Sequence, residues 1–119
     1  GLKHLSLAEV EKDKRHMLLI ERLLERTIGA AIDINMHILS SSKHSVPPTY
    51  RESFLILGGV GFLPKKLAEK LAESASFRNI LVHEYVQLDP KKLYKTMKEA
   101  SVDYQDYARH IEKLLSSKD

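Results

Sequence analysis

The sequence predicts an all-α fold, a helical bundle of three substantial helices plus one or two short ones. Three observations predict it. Apolar residues recur at steps of three and four along most of the 119 residues. Capping and proline signals stand where those runs begin and end. Strand-like alternation is almost absent.

The first element opens at Ser6, which with Glu9 has capping-box spacing, and it is expected to break near Asp13. A long helix from about Lys14 to Ser40 follows. Ile20, Leu23, Leu24, Ile28, Ala31, Ile34 and Ile38 recur along it at helical spacing and predict one broad apolar face for a core. Its other side carries Arg22, Arg26, Gly29, Ala30, Asp33 and His37, polar at both ends and small in the middle. A glycine inside a helix costs about 0.8–1.0 kcal/mol relative to alanine, so Gly29 points to a close approach of another backbone. Two readings of this face stand side by side. One is a contact surface for a helix, of this chain or of a second copy. The other is a solvated face with an i,i+4 pair of Asp33 and His37.

Serines and two prolines between Ser40 and Pro48 make a loop. Thr49 and Glu52 repeat the capping-box spacing and start a short helix that runs to Gly58. Gly58-Gly59-Val60-Gly61 lacks the Lys-Ser/Thr and the preceding strand of a phosphate-cradling loop, so it reads as glycine termination of the helix. Pro64 suits a first helical position, and the next helix is expected to reach about Gln87. Asp89 as N-cap and Pro90 as first residue open the last helix. There Leu93, Met97, Ala100, Tyr104, Tyr107, Ile111 and Leu114 keep a near-heptad stripe.

Composition sets bounds on function. The length fits a single domain over residues 1–119. Gly1 stands where a methionine would, as in a trimmed or tagged chain, so native residues are expected upstream. The absence of cysteine removes disulfides and thiolate zinc sites and is compatible with the cytoplasm, the expected location. No apolar run approaches the ~20 residues of a membrane helix, and no signal segment opens the chain. A net charge of +3 with pI about 9.1 permits RNA as a partner without demanding it. The six histidines include no i,i+3 or i,i+4 pair, and no carboxylate cluster stands beside one except at Asp33 and His37; no metal or other cofactor is expected.

The chemically suggestive segment is Arg78-Asn79-Ile80-Leu81-Val82-His83-Glu84-Tyr85. At ~100° per residue, Leu71, Val82 and Tyr85 fall within about 40° of Arg78, whereas His83 lies about 140° away with Ser76, Asn79 and Gln87. Arg78 and His83 converge on one substrate only if the helix is distorted, if long side chains reach round, or if a second copy completes the site. A guanidinium on an apolar face needs an anion. That anion is either a ligand or a glutamate of the same bundle, and taken alone these residues favour a structural role.

A resemblance shifts that balance. The segment is similar to the Arg-x4-His-x-Tyr form of the HEPN-domain signature, with Asn79 as the polar residue after the arginine. Ala30 through His37, Pro48 through Phe54 and Phe77 through Val86 resemble the HepT toxin family in order and spacing. The likeness runs from about Leu18 to Tyr94. The family pattern carries a further helix ahead of this region, which this chain is expected to lack.

The resemblance implies the toxin of a two-gene toxin–antitoxin pair, a metal-independent endoribonuclease working across a homodimer cleft. Arg78 and His83 would be catalytic and Asn79 supporting. The face of Arg22, Arg26, Asp33 and His37 would serve as dimer or cleft surface. It further implies a minimal nucleotidyltransferase antitoxin that attaches AMP to Tyr85. A histidine of unperturbed pKa about 6.5 can exchange a proton with an RNA 2′-hydroxyl, and Arg78 can hold the phosphate. The alternatives are a non-catalytic HEPN-type module that binds a nucleotide or an antitoxin, and a purely structural helical dimer.

Overall fold

The computed structural model describes residues 5–42, 44, 47–83 and 89–116, apart from the side chains of Val82 and His83. Among them there are five helices and no strand: α1 (Leu7–Lys12), α2 (Lys14–Ser41), α3 (Tyr50–Gly59), α4 (Lys65–His83) and α5 (Pro90–Ser116). Three long helices and two short ones match the sequence expectation. Among the described residues no helix is long and apolar enough to cross a membrane.

Local chemistry explains the boundaries. Ser6 Oγ accepts the Glu9 N–H at 3.2 Å and caps α1. Asp13 is extended and ends α1, and its carboxylate accepts the Arg15 N–H at 2.9 Å to start α2. The Arg15 guanidinium also grips that carboxylate and holds it below the usual aspartate range. Thr49 Oγ1 accepts the Glu52 N–H at the start of α3. Asp89 Oδ1 accepts the Lys91 N–H at the start of α5. Pro64 stands one position before its expected place: its carbonyl accepts the Ala68 N–H, and α4 begins at Lys65. The expected end of α4 near Gln87 lies outside the described residues.

The glycine-rich stretch after α3 terminates the helix. Phe62 N–H donates to the Leu57 carbonyl and Gly61 N–H to that of Gly58. Gly61 has φ +87°. That pattern is a Schellman cap, and the left-handed residue it requires is supplied by the glycine. Gly58 has a different task. A Cβ there would lie 2.6 Å from Ala68 Cβ, so its absence lets α3 pack closely on α4. Gly58→Ala is therefore expected to destabilise the protein by about 1–3 kcal/mol despite better helix propensity. Gly59→Ala, with nothing within 4 Å, is expected to be neutral or to stabilise by up to about 1 kcal/mol. Urea unfolding followed by circular dichroism reads both signs.

All five helices contribute to one hydrophobic cluster, from Val10 in α1 through Ile28, Phe54 and Leu71 to Ile111 in α5. The expected stripe of α5 is inward, with Leu114 only half-buried. On α2 the expected face needs correction. Leu23 and Ile34 are 38% and 40% exposed, while Ile32, Asn35 and Leu39 are buried. The reason is polar. Asn35 Nδ2 donates to Ser53 Oγ at 3.0 Å, Ser53 Oγ donates to the Tyr50 carbonyl at 2.7 Å, and the Tyr107 hydroxyl sits 2.6 Å from Asn35 Oδ1. An amide bonded at both its nitrogen and its oxygen is tolerated in a core, and with Asn35 facing inward Ile34 turns out. The same core holds Phe54, Tyr104 and Tyr107 edge to face, with centroids 5.9–6.4 Å apart. Burial pushes the Tyr104 hydroxyl up to about 12 and that of Tyr107 higher, so both stay protonated donors.

Candidate functional site

Arg78 is carried by α4 two turns beyond the fully buried Leu71 and is itself half-buried, as the helical wheel requires. Its guanidinium enters a crevice between α2 and α3. On the α2 side a Cβ built at Gly29 would lie 3.4 Å from Arg78 Nε and 3.6 Å from Nη2. On the α3 side the guanidinium carbon lies 5.9 Å from the centre of the Tyr50 ring, within cation–π range. Gly29 thus marks a close approach, but of the Arg78 side chain rather than of another backbone.

Arg78 Nε is buried with no hydrogen-bond partner. Among the described residues no carboxylate pairs with Arg78, so the expected alternative of a glutamate within the bundle finds no partner there. A guanidinium that is walled in, stacked and unpaired is suited to grip a planar or tetrahedral oxyanion with its Nη groups.

The other expected site residues are distributed around this crevice. Asn79 is exposed, one step round the helix from Arg78. His83 is the last residue of α4 as described, and its side chain lies outside the described set. Because α4 is continuous α-helix from Arg78 to His83, helix distortion does not bring the two together. What remains is side-chain reach or a second copy. Tyr85 lies outside the described residues.

Arg22, Arg26, Asp33 and His37 are all exposed on α2, on the side where Gly29 meets Arg78. The expected Asp33/His37 ion pair is not formed between those two residues. Leu18 and Leu19, exposed at 63% and 46%, continue this side toward the N-terminus. With Arg15, Glu21, Arg22, Glu25 and Leu81 of α4 they line a shallow groove. Partial burial in it raises the Glu21 carboxyl above its ordinary value. No group of three or more histidine, aspartate or glutamate side chains among the described residues is placed to hold a metal ion.

Sequence reasoning gave Tyr50 no role. It lay within a segment of family likeness, but nothing local signals that a residue at the start of α3 roofs an arginine of α4. The one hint was Gly29, whose missing side chain makes room for that arginine.

Comparison with known proteins adds an independent line. A family model described as ribonuclease HepT-like matches residues 2–111. A tRNA nuclease HepT of Aphanizomenon flos-aquae (strain 2012/KM1/D3) is 38% identical over 113 residues, which are 95% of this chain and 77% of that protein. An mRNA nuclease HepT of Shewanella oneidensis is 33% identical over 66 residues, 56% of this chain and 50% of that one. In fold, the chain superposes with TM-score 0.80 and 24% identity on a tri-AMPylated Shewanella oneidensis HEPN toxin solved in complex with an MNT antitoxin. The match covers 87% of this chain and 77% of that one.

Proposed function

The chain belongs to the ribonuclease HepT-like family, and from that premise we propose that it is a toxin that cleaves RNA without a metal ion, with Arg78 and His83 as catalytic groups. The observation that carries the proposal is the Arg78 guanidinium, held on Gly29 and under Tyr50 with its Nε unpaired.

The chemistry uses the RNA itself as nucleophile. The 2′-oxygen attacks the adjacent phosphorus as its proton passes to a base, and the bond to the 5′-oxygen breaks as that oxygen takes a proton. The product ends are a 2′,3′-cyclic phosphate and a 5′-hydroxyl. His83 serves the proton transfers, for which an imidazole titrating near neutral pH is suited. Arg78 binds the phosphate and offsets the charge growing on its oxygens. Asn79, exposed beside Arg78, orients a phosphate oxygen or the imidazole.

A regular helix holds Arg78 and His83 about 140° apart, so the site is completed by a second copy. A two-fold axis brings each Arg78 toward the partner copy's histidine. The exposed side of α2, with Leu18 and Leu19 beside Arg22, Arg26, Glu25, Asp33 and His37, supplies apolar area and charges of both signs for such self-pairing. The proposal extends to control. A nucleotidyltransferase-type antitoxin transfers AMP from ATP to the Tyr85 hydroxyl, which loses its proton as pyrophosphate leaves, a step prompted by the AMPylated fold neighbour with its MNT partner. Anionic groups added two residues beyond His83 would compete with RNA phosphate for Arg78.

The test is cleavage of single-stranded RNA in excess EDTA, with product ends identified by mass. The wild type is expected to cut and to leave cyclic phosphates. His83→Ala is expected to lose at least about 100-fold in rate with its helicity unchanged. Cleavage that stops in EDTA and returns with a divalent cation would defeat the metal-free mechanism. A folded wild type that binds RNA and never cuts it would leave a non-catalytic binding module.

A further inference from the structure

The exposed aromatic ring beside Arg78 is not explained by the fold. Tyr50 opens α3 and keeps 47% of its surface in solvent, although its ring lies over the Arg78 guanidinium. Core packing does not account for it, because the hydrophobic contacts of α3 are made by the fully buried Phe54 and Leu57 and the partly buried Ile56.

Its backbone, by contrast, is firmly seated. The Tyr50 carbonyl accepts the Ser53 hydroxyl at 2.7 Å, and Ser53 is bonded to the buried Asn35 amide, which is bonded to Tyr107 of α5. Thr49 caps the same turn. Three helices therefore fix the position of a ring that is largely free of core contacts. A fixed, half-exposed aromatic beside a phosphate-gripping cation is the pairing that single-stranded nucleic-acid sites use: the cation tracks the backbone while bases stack on the ring.

We infer that Tyr50 is a nucleobase-stacking residue, which holds the base of a single-stranded RNA nucleotide while Arg78 holds the phosphate next to it. The inference rests on the reading that the Arg78 face takes RNA. Stacking uses the solvent side of the ring, since the other side is occupied by the guanidinium. Base identity contributes little, because every base presents a π-face, so the subsite favours unpaired RNA over a particular sequence. The hydroxyl of Tyr50 is not required.

The test measures binding rather than cutting, so that it stands apart from the nuclease reading. A fluorescein-labelled 2′-fluoro RNA hexanucleotide, which lacks the attacking hydroxyl, is titrated with the full chain and read by anisotropy. Tyr50→Phe is expected to bind within about twofold of the wild type. Tyr50→Leu is expected to bind about 5- to 100-fold more weakly, the loss of one base–aromatic stack. Hexanucleotides with an abasic unit at each position in turn supply a second arm that needs no variant. At one position the abasic unit is expected to weaken the wild type and to leave Tyr50→Leu almost unchanged.

Equal binding by the wild type and Tyr50→Leu overturns the inference. So does an abasic penalty that is the same in both proteins at every position, or no binding of the hexanucleotide by the folded wild type. A wild type that binds through Tyr50 but cuts no natural RNA upholds the stacking site while removing the nuclease reading.

Discussion

Arg78→Ala is expected to lower the rate of RNA cleavage at least about 100-fold, the usual scale for removing one donor aimed at developing transition-state charge. The cation is lost, and with it the group that the proposal places on the phosphate. The guanidinium lies against Gly29 and beneath the ring of Tyr50, neither of which carries a charge. The fold should survive the change. No ion pair to Arg78 is broken among the described residues, its Nε has no hydrogen bond to lose, and the side chain is only half-buried. Arg78→Lys is the more discriminating variant. It keeps the charge but loses the planar fork and the stacking against Tyr50, and it is expected to recover no more than a minor part of the rate. Initial rates in EDTA, with circular dichroism and the oligomeric state recorded beside them, measure both. If Arg78→Ala cuts within threefold of the wild type, Arg78 is a structural cation and the catalytic assignment fails.

The largest effect on stability is expected from Phe54→Ala, about 3–5 kcal/mol. Phe54 is fully buried and meets Tyr104 and Tyr107 edge to face at 6.4 and 6.0 Å. Aromatic pairs of this geometry add about 0.5–1.5 kcal/mol beyond the burial itself. The position also matters because α3 has only 10 residues, too few for a helix to persist in water without tertiary anchoring. Phe54 and Leu57 are its fully buried apolar anchors, and the Tyr50 subsite stands on it. Leu55→Ala, at a site 36% exposed on the same helix, is the control and is expected to change stability by less than about 1 kcal/mol. The chain has no tryptophan and five tyrosines, so tyrosine fluorescence in urea, to which Tyr104 and Tyr107 contribute, follows unfolding beside circular dichroism. Equal destabilisation by the two variants would show that the aromatic cluster does not anchor α3.

Both expectations separate what is local in this chain from what is not. Ser6, Asp13, Thr49 and Asp89 each cap a helix within three residues of themselves. Gly61 closes α3 through its own bond to Gly58 and through that of Phe62 to Leu57. Such signals span less than two turns and survive any change in tertiary packing, so the helix boundaries that fall among the described residues were legible in the sequence to within a residue or two. The inward stripe of α5 was legible for a similar reason, since a strongly amphipathic helix has one way to hide its apolar side. The motif holding Arg78, Asn79, His83 and Tyr85 was legible as a pattern, and the family it pointed to is the one whose model matches the chain.

The inward side of α2 was not decided by apolar spacing. Asn35 turns inward because Ser53 of α3 and Tyr107 of α5 satisfy its amide, and that rotates Ile34 toward solvent. No hydropathy pattern in α2 contains those partners. The crevice around Arg78 was hidden for the same reason. It forms from Gly29, Tyr50 and Arg78, which lie on three helices. Their meeting depends on how closely α4 approaches α2 and α3, and that approach is set by packed surfaces distant in the chain. The sequence by itself determined the helix boundaries among the described residues and singled out the residues proposed to bear the chemistry. Only the tertiary structure decided that the arginine lies on a glycine beneath a tyrosine, because helix formation is governed by neighbours a turn apart and a crevice by contacts between turns of different helices.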